Sequence, residues 1–155
     1  MPTDIKQLCQ TVLTHEVALF GEERRSQPPA TASAIAAAER RLGLRLPLSF
    51  KEFARQVGEA AWPLAIHDVE ALTRSGPDDD RPSFLVAFAT DDAGNDWCFD
   101  TRDMQGQEYG ILYWDHEDLP DPEELEAGYH ATPFHEWLAE RISEALEDSP
   151  AWTVS

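Results

Sequence analysis

The chain has 155 residues, of which 42% are hydrophobic and five are Trp, enough to bury one continuous core. Thirty acidic against twelve basic side chains give a formal charge of −18, a field that repels nucleic acid and anionic membrane and attracts basic partners. The acid is concentrated in residues 59–155, which hold twenty-four Asp and Glu against four Lys and Arg.

The first segment, MPTDIKQLCQTVLTHEVALF, carries Ile5, Leu8, Val12, Leu13, Val17 and Phe20 at helical spacing. Thr3 or Asp4 starts this helix (residues 3–20) and Gly21 ends it. Asp4, Lys6, His15 and Glu16 interrupt its apolar character, so it has neither a signal-peptide core nor a membrane span. Cys9 and Cys98 stand far apart with no CxxC, the pattern of buried thiols in a reducing, cytoplasmic compartment, although a single disulfide is compatible with it.

After the polar connector GEERRSQPPA, a second helix begins at Thr31 or Ser33 and runs to Leu42, with Gly43 placed to adopt the left-handed ending. The third helix has local start signals. Ser49 and Glu52 predict a capping box, Leu48 and Phe53 a hydrophobic staple, and Gly58 the end. Trp62–His67 reads as a short strand, with Pro63 suited to an edge strand or to the beginning of one. SGPDDDRP is an acidic turn-rich loop. Phe84–Ala89 and Trp97–Asp100 are strands joined by an Asp- and Gly-containing turn, and Gly110–Trp114 is a further strand. Asp115–Glu126 reads as an exposed acidic loop. Thr132 and Pro133 open a last helix with Phe134, Trp137, Leu138, Ile142 and Leu146 on one face.

Helices precede strands without βαβ alternation. This order predicts an α+β fold: a single domain, residues 1–155 with a core of about 31–148, whose mostly antiparallel sheet is covered on one side by helices. The other side or an edge is then left for a partner. Neighbours such as Tyr113 and Trp114 point to opposite faces, so either both faces are covered or one aromatic row is exposed.

Catalytic patterns are weak. Asp91, Asp92, Asp96 and Asp100 could pair for glycoside hydrolysis, but turn chemistry explains aspartates at these positions more simply. DDAGND lacks the acid spacing and closing Glu of a calcium loop. His116, His130 and His135 lack paired cysteines for zinc. Cys98, between Trp97 and Phe99, has no neighbour that would lower its pKa. There is no G-x-S-x-G, P-loop or GxGxxG. The expectation is a protein without catalytic residues, metal or cofactor. Asp78, Asp79, Asp80, Asp91, Asp92, Asp115, Glu117 and Asp118 are the expected partner contacts, chosen for charge and exposure.

In order, ERRLGLRLP, SFKEFARQVG, VAFATDDAGNDWCFD, GILYWDHED and FHEWL resemble the SUKH superfamily, the Smi–Knr type domain, over about Ile35 to Leu146. Gly94-Asn95-Asp96 stands where the family pattern often has Gly-Asp. The resemblance implies an α+β fold without catalytic residues. It also implies a bacterial immunity protein that neutralises a cognate polymorphic toxin, a nuclease or other nucleic-acid-targeting enzyme, by steric and electrostatic blocking. A regulatory or scaffold module for an endogenous protein is the alternative, and an exposed edge strand would permit a homodimer.

Overall fold

The computed structural model describes residues 4–21, 29–74, 84–91, 94–114 and 133–147. The connector after Gly21, the segments Ser75–Pro82 and Asp115–Glu126 expected as acidic loops, Thr132, His116, His130 and Trp152 lie outside these residues.

Helix α1 is Ile5–Phe20. Asp4 caps it by accepting from the Lys6 N–H at 2.9 Å, and Gly21, at φ 85°, follows its end. Helix α2 is Ala32–Leu42; Thr31 Oγ1 accepts from the Ala34 N–H, and Gly43 ends the helix in the left-handed conformation, φ 71° and ψ 31°.

Helix α3, Leu48–Gln56, differs from its predicted start. Pro47 occupies the cap position without a side-chain bond, and Leu48 is 55% exposed, so neither capping box nor staple forms. A distant hairpin satisfies the first turn instead. The Leu48 N–H donates to the Gln107 carbonyl at 3.0 Å. The Ser49 N–H and Oγ donate to the two carboxylate oxygens of Glu108 at 2.9 and 2.7 Å. A carboxylate at a helix start also meets the positive end of the helix dipole. Glu52, free of capping duty, accepts from Gln56 one turn on.

The strands are β1 (Ala65–Ile66), β2 (Thr73–Arg74), β3 (Leu85–Thr90), β4 (Asp96–Gln105) and β5 (Glu108–Trp114); helix α4 is Phe134–Glu147. Among the described residues every pairing is antiparallel, in the order β1-β3-β4-β5, with β2 on the same flank of β3 as β1. β1 pairs with Ala89–Thr90 and β2 with Val86–Ala87, so the two form one edge strand interrupted by residues 67–72. A short 3-10 turn, Val69–Ala71, sits in that interruption. Arg41 of α2 fixes it, donating to the carbonyls of Leu72 at 2.8 Å and Val69 at 3.0 Å. The predicted edge strand thus exists, shortened to Ala65–Ile66, and β4 runs beyond Asp100 to a hairpin at Gly106-Gln107.

Two irregularities break strict alternation. A bulge between Ala87 and Ala89 adds a residue opposite Trp97–Cys98, and places both Phe88 and Ala89 in the helix-side core. A second shift, between Asp100 and Met104, arches β4 over Gly110. The Asp103 carboxylate fills the place where a Cβ on Gly110 would sit, with Asp103 Cγ only 3.2 Å from it. This close approach accounts for a glycine inside the strand.

The helices pack on one face of the sheet, as predicted. Phe50 lies at the centre, with ring centroids 5.1 Å from Phe134, 5.3 Å from Phe99 and 6.1 Å from Phe88. On the opposite face Leu85, Ala87, Cys98, Leu112 and Trp114 form a second buried cluster, which favours the alternative in which both faces are covered and leaves an edge for a partner. Cys9, on the inner face of α1, and Cys98, in that cluster, are both buried, and no disulfide joins them. No helix among the described residues is long and apolar enough to cross a membrane.

Candidate protein-binding groove

Three pieces of chain converge where the β3–β4 turn meets α4. The first is the Trp62–Leu64 segment. α1 holds it: buried Glu16 accepts from the Ala61 N–H at 2.7 Å, and the His15 ring stacks on Trp62 with centroids 4.4 Å apart. Pro63 and Leu64 thereby stand as one wall.

The second piece is the turn itself. Asp91 accepts from the Asn95 N–H at 3.0 Å, an Asx arrangement that closes the turn. Its other oxygen accepts a short hydrogen bond from the Tyr113 hydroxyl, and that hydroxyl accepts from Asn95 Nδ2 at 2.9 Å. Asn95 is buried, so its side chain requires such a partner. Trp97 and Tyr113 are opposed in the β4–β5 register, with ring centroids 4.7 Å apart.

The third piece is the last half of α4. Arg141 lays its guanidinium over Trp97, 4.9 Å from the ring centre, and donates to Glu144 at 3.0 Å with Glu140 at 3.5 Å. Glu144 and Ala145 complete the wall. The result is a groove of about 300 Å³, at the small end of the volume range of ligand sites. Its floor is aromatic. Of its lining charges, Asp91 and Glu144 outweigh Arg141, and Glu140 approaches Arg141 from outside the lining.

Of the eight expected contacts, the structure places Asp91 in this groove. Asp78, Asp79, Asp80, Asp92, Asp115, Glu117 and Asp118 lie outside the described residues. Pro63, Leu64 and Arg141 were not among the contacts expected from sequence. Arg141 sits four residues after Trp137, on the same flank of α4, and only the tertiary fold brings that flank over Trp97.

The arrangement offers contacts more readily than chemistry. Asp100 is 1% exposed and clamped by Arg102, whose Nε and NH2 donate to its two oxygens at 3.0 Å each. Asp96 accepts from Thr90 Oγ1 at 3.2 Å. Asp96 and Asp100 are four residues apart on one strand, about 13 Å along it, beyond the separation two glycosidase carboxylates use. His67 Nε2, Thr90 Oγ1 and Asp96 form a chain with 3.2 Å links. The hydroxyl has one proton, and it goes to Asp96, so His67 donates to Thr90 and does not activate it as a base. Burial, then the nearby carboxylates of Glu52 and Asp4, push the Cys9 thiol up to about 12, the opposite of a nucleophile's tuning. Among the described residues no three His, Cys, Asp or Glu side chains gather as a metal site.

Fold and groove together define an α+β domain with an antiparallel sheet backed by helices and an aromatic, acidic recess at one end. A family model described as the SMI1/KNR4 family (SUKH-1) matches residues 29–140, and the chain belongs to that family. No curated protein matches the chain significantly.

Proposed function

We propose that this protein is an immunity protein: it binds a cognate polymorphic toxin in the cytoplasm of the cell that makes both, and neutralises it without catalysis. The SUKH family includes toxin immunity proteins, which supports the class. The observation that carries the reading further is the charge, −18 on 155 residues. Such a surface steers a basic partner, and a nuclease or other nucleic-acid-targeting toxin has a basic cleft because its substrate is a polyanion. Blocking is then steric and electrostatic. The acids at Asp78–Asp80, Asp91, Asp92, Asp115, Glu117 and Asp118 supply the attraction, and the groove an anchor.

The test is co-expression with the toxin encoded beside the gene. Rescue of growth and co-purification of a stable complex are expected. Reversing Asp78–Asp80, Asp115, Glu117 and Asp118 together slows association by about tenfold or more at low salt and flattens its salt dependence, while thermal unfolding is unchanged. Association that is equally fast at every ionic strength refutes steering. A stable complex with a host protein and no rescue from any neighbouring toxin assigns the chain to regulation or scaffolding instead.

A further inference from the structure

We propose that the groove between α4 and the β3–β4 turn seats an arginine side chain of the protein partner, an inference that rests on the toxin-binding function proposed above. The groove already shows this chemistry with an arginine of its own. Arg141 lies over the Trp97 ring at 4.9 Å while Glu144 takes its NH2 at 3.0 Å. The Tyr113 side repeats the same two ingredients, a ring with a carboxylate beside it, in Asp91.

The charges favour a cation. Glu140 and Glu144 both contact Arg141, so its single positive charge is more than offset, and Asp91 adds a further negative. Pro63, Leu64 and Ala145 give an apolar wall suited to the methylene stem of a long side chain. A planar, weakly hydrated guanidinium fits between a ring and a carboxylate better than a compact ammonium does. An acidic side chain would meet excess negative charge. A second copy of this chain, itself at −18, meets the same repulsion over its whole surface.

The experiment titrates the intact protein with N-acetyl-arginine N-methylamide, its uncharged isostere N-acetyl-citrulline N-methylamide, and the glutamate equivalent. Binding is followed by ¹H–¹⁵N correlation NMR. The arginine probe is expected to shift the amides of Trp97, Tyr113, Glu144 and Ala145 saturably, about tenfold more tightly than citrulline, and the glutamate probe to leave them in place. Ala145→Phe, which fills the groove, removes the shifts. The paired Glu140→Gln and Glu144→Gln substitutions keep its shape and weaken binding by about tenfold. Equal binding of citrulline, shifts scattered over the acidic surface, or unchanged binding in a folded Ala145→Phe protein overturns the proposal. So do groove shifts that follow protein concentration alone, which would mark a second copy as the occupant. The two readings fail separately. A toxin that binds Ala145→Phe as tightly as wild type refutes the anchor and leaves immunity standing. An arginine probe that binds as described, with no toxin neutralised, upholds the groove's chemistry and refutes immunity.

Discussion

Replacing Glu108 by Ala tests whether helix α3 is held by the hairpin or by its own sequence. In the structure Glu108 accepts from the Ser49 N–H at 2.9 Å and the Ser49 hydroxyl at 2.7 Å. Ser49 is 7% exposed, so water does not readily replace the lost carboxylate. A hydrogen bond to a charged group contributes about 1.5–3 kcal/mol, and water reaching the half-buried Glu108 site offsets part of two such bonds. The expected loss is about 2–3 kcal/mol. For a chain of this size that lowers Tm by about 5–10 °C, read by circular dichroism or calorimetry. Glu52→Ala is the control. A capping box needs Glu52, whereas the structure gives it only a hydrogen bond from Gln56 at 2.7 Å, a contact between helix neighbours worth about 0.5 kcal/mol or less. A Ser49→Ala/Glu108→Ala double-mutant cycle should show coupling of about 1 kcal/mol or more, and Ser49 with Glu52 almost none. If Glu52→Ala costs more than Glu108→Ala, the helix is capped locally and the long-range anchor is wrong.

Phe50→Ala removes the ring that meets Phe53, Phe88, Phe99 and Phe134; a loss of about 3–5 kcal/mol is expected in urea unfolding, and less than 1 kcal/mol would mean the aromatic cluster is not packed as described. Asp91→Ala removes the acceptor of the Tyr113 hydroxyl and of the Asn95 N–H and opens the turn, costing about 1–3 kcal/mol by thermal or chemical unfolding, so its effect on toxin binding is to be read only after stability is matched. Cys9 should resist alkylation in the folded protein up to pH 9 and react on unfolding. Its folded pKa lies above its ordinary 9.0, so the unfolded chain releases the proton first; stability is intact below pH 9 and falls as pH rises toward 12. Cys9→Ala should flatten that alkaline decline, and an unchanged pH profile would refute the assignment.

What the sequence reveals here depends on how far the deciding contact lies along the chain. The ends of α1 and the limits of α2 were legible because Asp4, Thr31 and Gly43 act on backbone within four residues of themselves. The cap of α3 was not, since Ser49 and Glu108 are 59 positions apart and Glu52 offered a local decoy. Residues 101–105, TRDMQ, lack the apolar alternation of a half-buried strand, which hid the outer half of β4. The bulge at Phe88 defeats a two-residue count because it turns consecutive residues to one face. Of the groove, the turn aspartate and the paired aromatics could be found in sequence. The arginine that joins them could not.

The carboxylates fall into two groups with different work. Sixteen of the thirty lie among the described residues, together with nine of the twelve basic side chains. Several are committed to the fold: Asp4 and Glu108 cap helices, Glu16 holds the Trp62 segment, Glu39 accepts from the Leu46 N–H, Asp100 clamps Arg102, and Asp91 closes a turn. The remaining fourteen acids and three bases carry −11 of the −18, and ten of those acids fall in two runs of the sequence, Asp78–Asp80 and Asp115–Glu126. Field at a distance depends on summed charge, whereas a buried bond depends on one atom's position. Stability and steering are therefore separable by mutation. Substituting a member of the first group other than Asp91, such as Glu108, should lower stability with little change in the ionic-strength dependence of binding by the protein that remains folded, and neutralising the second should do the reverse.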